Sequence, residues 1–341
     1  MEFQRYQHFD DLAGLKDQWN HLLENSASHV PFLTYDYQAA WWATRGGGEW
    51  PPDSQLVIVT ATEGDQLVGI APLFHAPNIL GEPALMFVGA IEVSDFLDFI
   101  VKPGDLPEFL PGLLDFLLNE ENLPHWEVLD LYNLLESSPT LAILESEAGK
   151  RGWEHNQIHL QPSPFIPLPG DYEAYLAGID KKQRHEIRRK FRNVATSLVE
   201  SDFYIVQDRE QLASEIQAFI DMMAQDPNKR EFLTDAMQQH LHKTAEIAFD
   251  NGWLQLAFFT LDGKKAAAYL SFHFNNRIWC YNSGWDWDFR EFSPGWVLLA
   301  YLIEWANANE INEFDFMRGD EPYKYKFGAT DRHIYRVTLK P

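Results

Sequence analysis

Apolar and polar positions alternate along "QLVIVTATEGDQLVGIAPLF", residues 55–74, in two runs separated by a glycine-containing turn, the pattern of a β-hairpin. The design recurs at residues 253–274, "WLQLAFFTLDGKKAAAYLSFHF", around the turn "LDGK". Helical patterns at 10–24 and 35–44 precede the first hairpin. A strand-like "FYIVQD" and helical patterns from about 209 to 249 precede the second. The first hairpin leads to "ALMFVGAIEVSDFLDFIV", a helix near 105–119 and the strand "WEVLDLYNL". The second leads to a strand at 277–285, an amphipathic helix at 295–309 and a strand at 312–317, so "EVLDLYN" and "EFDFMRG" occupy corresponding positions. Between the two series lies "LQPSPFIPLPGDY", residues 160–172, whose four prolines predict an extended connector. The chain reads as two diverged copies of one αβ unit; two unrelated α/β domains are the alternative.

One further helix stands out by charge. Residues 181–192 hold seven Lys and Arg and one Glu, in a chain of formal net charge −24. At 100° per residue, Ile187, Phe191, Val194 and Leu198 form a core-facing stripe. Arg184 and Arg188 flank that stripe, the remaining cations extend their face, and only Lys190 lies apart. Two arginines at a buried margin suit bidentate contact with phosphate or carboxylate; ion pairs with the acidic surface are the plainer reading. The acidity argues against general nucleic-acid binding, because a polyanion is repelled.

The remaining composition narrows the class. At 45% hydrophobic and 14% aromatic residues, the 341-residue chain can build two cores. No apolar run reaches bilayer length, and the start "MEFQRYQHFDDL" lacks the layout of a secretory signal, so the expectation is a cytoplasmic protein. Cys280 is the only cysteine and fits a buried thiol. His240 and His242 share no helical face, and there is no HExxH, GxSxG or Walker loop; "TRGGGEW" reads as a flexible loop. Neither a metal nor a serine nucleophile is expected.

The strand–helix–strand unit at 277–317 implies parallel neighbours, and ligands collect at the carboxyl ends of such strands. Those ends are "GWDWDF", with Trp285, Asp286 and Asp288, and "MRGDEPYKYKFG". The intervening helix starts at Ser293-Pro294-Gly295, with Ser293 the expected N-cap and the free N–H groups an anion site. In the second loop Lys324 and Lys326 could hold an oxyanion or a phosphate, and Tyr323 could pass a proton. Arg318, Asp320, Glu321 and Phe327 complete it; a salt-bridged loop with Phe327 plugging a core is the alternative. In the first half "VSDFLDFIV" offers Asp95, and with it Asp98, as a cleft carboxylate.

"YEAYLAGIDKKQRHEIRRKFRN", "YNSGWDWDFREFSPGWVLL" and "EFDFMRGDEPYKYKFGA", in that order, resemble the GNAT-type acyltransferase domain of CelD-like proteins, named for bacterial cellulose biosynthesis and related to the FemAB peptidyltransferases. The resemblance covers about residues 165–337; the first half is similar only to a degenerate GNAT copy. It implies an α/β (α+β) fold of tandem GNAT-like domains, 1–162 and 163–341. It implies acyl transfer from acetyl-CoA or another acyl-CoA to an amine or hydroxyl of a saccharide or cell-envelope precursor, as in exopolysaccharide or cellulose assembly. The donor would lie between the strands at 277–285 and 312–317, with its pyrophosphate at Ser293–Trp296 and with Trp285, Gly295 and Arg318 beside it. Lys324 and Lys326 resemble a FemAB lysine implicated in transfer, and Asp95 an aspartate of the first domain; Asp286, Asp288 or Asp95 would take the proton. Arg184, Arg188, Asp320, Glu321 and Phe327 would bind the acceptor. The usual Gln/Arg-x-x-Gly-x-Gly/Ala loop is reduced here to Arg290 and Gly295, which leaves a larger acyl donor or an aminoacyl-tRNA open. A non-catalytic partner in a polysaccharide-synthesis complex is the alternative from another class.

Overall fold

The computed structural model describes all 341 residues, which divide into two compact units: Met1–Gln161 with His333–Pro341, and Pro162–Arg332. The first unit contains β1 (Glu2–Tyr6), α1 (Lys16–Glu24), α2 (Tyr35–Gly48), β2 (Gln55–Glu63), β3 (Gln66–Pro77), β4 (Pro83–Phe87), β5 (Ile100–Val101), α3 (Leu106–Asn119), β6 (Val128–Leu135) and α4 (Thr140–Arg151). β1, β2, β3 and β4 pair antiparallel in succession, β4 and β6 run parallel, and the chain's last strand (Thr330–Lys340) pairs antiparallel with β6. β2, β3, β4 and β6 are almost wholly buried, which is why they read as near-continuous apolar runs.

The second unit repeats this order. The part of β7 (Glu154–Pro167) from Pro162 on is followed by α5 (Tyr172–Gly178), α6 (Lys181–Ala195), β8 (Ser201–Ile205), α7 (Leu212–Met223), α8 (Pro227–Phe232), α9 (Asp235–Asp250), β9 (Leu254–Leu261), β10 (Lys264–Phe274), β11 (Arg277–Trp285), α10 (Pro294–Ala308), β12 (Glu313–Asp315) and α11 (Pro322–Lys326). β8, β9, β10 and β11 pair antiparallel, β11 and β12 run parallel, and β7 closes the set antiparallel to β12. Alternation along β9 sends Ala257, Phe259 and Leu261 into the core shared with α6 and α10, and Leu256 and Phe258 into the core shared with α7 and α9. The second hairpin turns through Asp262 and Gly263, both with positive φ, as a two-residue turn between twisted strands requires.

Three expectations change. The proline-rich stretch is a paired strand, not a free connector: prolines lack an N–H but still accept, and the Pro162 and Pro164 carbonyls take the N–H groups of Gly319 and Phe316. Residues 333–341, expected in the second domain, cluster with the first unit. Leu198 lies past the end of α6 and is fully exposed, so the stripe reduces to buried Ile187 and Val194 with part-buried Phe191.

Candidate active site

β11 and β12 pair only over Arg277–Trp279 and Glu313–Asp315. β11 then runs on to Trp285 without β12 beside it, so its backbone edge from Cys280 onward has no strand partner on that side. A bulge also lies here: Leu270 and Ser271 of β10 face Asn282 and Cys280, leaving Tyr281 as the extra residue. The chain leaves β11 through one 3-10 turn (Trp287–Phe292) and begins α10 at Pro294. Ser293 is left-handed (φ 53°) and makes no side-chain cap, contrary to the sequence expectation. Its hydroxyl instead takes a hydrogen bond from Lys190 Nζ at 2.8 Å.

A cavity of about 340 Å³ opens where this strand edge meets the start of α10, within the size range of small-molecule sites. Trp285, Ser293, Gly295, Trp296, Tyr323 and Phe327 line it, as do Tyr269, Ser283, Arg290 and Lys190. Phe327 is fully buried and packs its ring on Trp296, centroids 4.8 Å apart. Lys190 lies over the Trp296 ring at 4.9 Å and Lys326 over it at 5.8 Å. Burial lowers the Lys190 pKa from the ordinary lysine value, with Lys326 and Arg189 adding repulsion and Glu186, 3.6 Å away, opposing. The indole N–H of Trp296 is buried without a protein acceptor. Two cations, an unfilled donor and a helix N-terminus at one end of an apolar cleft are chemically suited to an anionic, partly apolar ligand.

Lys190 is the cation that the helical wheel set apart from the basic face. It misled because the wheel ranks positions against one core, and α6 has a second neighbour: its Asn193 also donates to the Glu291 carbonyl in the turn before α10. Arg184 and Arg188 are occupied elsewhere. Arg184 donates to the Leu176 and Ala177 carbonyls at the end of α5, and Arg188 pairs with Glu173 at 2.6 Å. They tie α5 to α6 and do not line the cavity.

The loop after β12 divides in the same way. Lys324 is 3% exposed; its ammonium donates to the carbonyls of Arg318 (2.7 Å) and Gly319 (3.0 Å) and pairs with Glu321 at 2.8 Å. It holds the turn around residues 317–321, and neither it nor Arg318 nor exposed Asp320 lines the cavity. Tyr323 does, and burial raises its phenol pKa well above the ordinary value. Tyr269, bonded to Ser283, is raised for the same reason. Asp286 caps the 3-10 turn by accepting from the Asp288 N–H, and Asp288 is exposed. Asp95 lies in the first unit, buried between β4 and β5. Its neighbour Asp98 is fully buried and accepts from the Ser28, Ser138 and Thr140 hydroxyls and the Phe99 N–H. Cys280 is buried, its thiol pKa pushed up to about 12.

Residues 181–325 match the family model described as an acetyltransferase (GNAT) domain. No curated protein matches the chain. The fold is similar to the crystal structure of FemX, with a TM-score of 0.67 at 10% identity over 98% of this chain and 97% of that one. It is also similar to the C-terminal domain of a putative lysylphosphatidylglycerol synthetase from Agrobacterium fabrum (TM-score 0.55, 10% identity, 96% and 91% covered). A tandem GNAT protein from the clavulanic acid biosynthesis pathway matches with a TM-score of 0.50 at 15% identity over 98% and 97%. The repeated strand order, the parted parallel strands and the domain match agree: the chain has a GNAT fold, carries a GNAT acetyltransferase domain and is an acyltransferase.

Proposed function

We propose that the protein transfers an acyl group from an acyl-CoA to an amine or hydroxyl of a saccharide or cell-envelope precursor. The observation that carries this reading is the Lys190–Ser293 contact at the start of α10, beside the strand edge that β12 leaves open. The diphosphate of the donor would take the α10 N–H groups and the Lys190 and Lys326 ammoniums. Its extended amide arm would add to the open edge of β11 as a further strand would. The resemblance of three motif stretches to CelD-like proteins supports an acceptor in exopolysaccharide or cellulose assembly. The net charge of −24 favours a small donor over a tRNA.

In the transfer, the acceptor's lone pair attacks the thioester carbonyl carbon, the C–S bond breaks, and the sulfur leaves with the electron pair and gains a proton. The acceptor loses a proton, and half-buried Asp286, the first residue after β11, is the carboxylate we assign to take it. Tyr323 with its raised pKa stays protonated; it suits donating a hydrogen bond to the developing charge better than surrendering its proton. Lys324 acts by holding the 317–321 turn in place.

A thermal-shift series with acetyl-CoA, longer acyl-CoAs and free CoA tests the donor. At 100 times its dissociation constant a true donor stabilises by about 2.7 kcal/mol. No shift with any CoA species, and no thiol release with any amine, would remove the acyl-CoA reading.

A further inference from the structure

A second cation reaches the carboxyl end of β11, from the other side. Lys229 of α8 donates to Asn282 Oδ1 at 2.8 Å and to the Ser283 carbonyl at 2.5 Å. Asn282 pairs with Leu270, whose side chain is in the core under α7 and α9, whereas Ser283 pairs with Tyr269 and lines the donor cavity. Lys229 therefore arrives from the α7–α9 side, at the strand end that borders the donor cavity.

Its electrostatic position is unlike that of comparable lysines. Lys16, Lys190, Lys265, Lys324 and Lys340 are each at least partly buried, and each has a carboxylate within 4 Å. Lys229 is half-buried and has only neutral oxygens as partners. The carboxylates that feel it are committed elsewhere: Asp226 caps α8 by accepting from Asn228 and Lys229 N–H groups, and Glu321 pairs with Lys324. An ammonium has three donors, and two are used. Burial lowers its pKa, so a charge there is costly until an anion faces it. Among the lysines that are at least partly buried, Lys229 is the one without a contacting carboxylate.

We propose that Lys229 receives an anionic oxygen of the acceptor, a carboxylate or a phosphate, so that the acceptor is an anion-bearing nucleophile held across β11 from the donor. This rests on the acyltransferase reading for the identity of the second substrate, but the anion site itself does not.

The test separates the two. In protein with ¹³C at lysine Cε, the Lys229 resonance is assigned as the one missing from Lys229→Gln. Sodium acetate and inorganic phosphate are then titrated with CoA held at saturation, which occupies the donor site. A saturable shift of the Lys229 resonance, with a raised pKa, is expected from one of the two anions, and which one names the acceptor's group. An unmoved resonance, or one that moves only when CoA is left out, overturns the proposal. With acetyl-CoA, amines paired with their carboxylate- or phosphate-bearing counterparts should show at least about tenfold higher kcat/KM for the anionic member, and Lys229→Gln should erase that preference while leaving acetyl-CoA affinity intact. Equal rates within pairs would also overturn it. Absence of transfer to every amine, with the Lys229 shift present, would instead count against the acyltransferase reading.

Discussion

Single residues carry the proposed donor site. Lys190 makes a charged hydrogen bond to Ser293 over the Trp296 ring, and bonds of this kind to a ligand anion contribute about 1.5–3 kcal/mol. Lys190→Met is expected to weaken acetyl-CoA binding about tenfold or more by calorimetry, while Arg188→Met, which loses only its pair with Glu173, should leave it unchanged. The lowered Lys190 pKa has a definite sign. The ammonium is lost at lower pH than for an ordinary lysine, so donor affinity is full on the acid side and falls as pH rises through that value. Lys190→Arg should move that fall to higher pH. Away from the site, Asp98 is the most demanding buried carboxylate, with four donors aimed at it. Asp98→Ala would strand three hydroxyls and one N–H, a loss of about 3 kcal/mol or more, seen as a lower urea midpoint.

Elements hold those residues in place through close approach. Gly284 is the point where β11 passes the end of α7: a Cβ there would lie 2.6 Å from the Met223 nitrogen and 2.7 Å from the Met222 carbonyl carbon. Those are backbone atoms, which cannot turn aside as a side chain can. Gly284→Ala is therefore expected to push β11 from α7, lower the melting temperature by several degrees and weaken acetyl-CoA binding together. Gly178→Ala, with nothing within 4 Å of the new methyl, is the control that should do neither. At the same scale α6 is started by Asp180, which accepts from the N–H groups of Lys182 and Gln183. Arg184 and Arg188 then tie α6 to α5, while Lys190 reaches the start of α10.

The whole molecule sets the field in which this small basic site works. A net charge of −24 repels an acyl-CoA at long range, while the local cations attract it only within about a Debye length, ~10 Å at 0.1 M salt. Raising ionic strength should therefore speed acetyl-CoA association in stopped-flow measurements. A rate that falls with salt would mean that the local cations dominate the approach. No helix is long and apolar enough to cross a membrane, and no cluster of three or more metal-ligating side chains is present.

The sequence by itself determined both hairpins, the strand–helix–strand unit of each half and the internal repeat, because these depend on local periodicity and turn chemistry. It also marked the α10 start and the loop after β12, where residue types unsuited to plain connection cluster. Only the tertiary structure decided which of those residues meet. Lys190 and Lys229 come from helices far along the chain to the two sides of one strand end, and neither has a local signature. Arg184, Arg188 and Lys324 looked equally suited to a ligand, but their charges are satisfied by carbonyls and carboxylates brought up by folding. Strand β7 was hidden by its prolines, yet the carbonyls of Pro162 and Pro164 still accept from N–H groups that the neighbouring chain supplies. A charged side chain's role follows from what lies opposite it, and that partner is set by packing between elements distant in sequence.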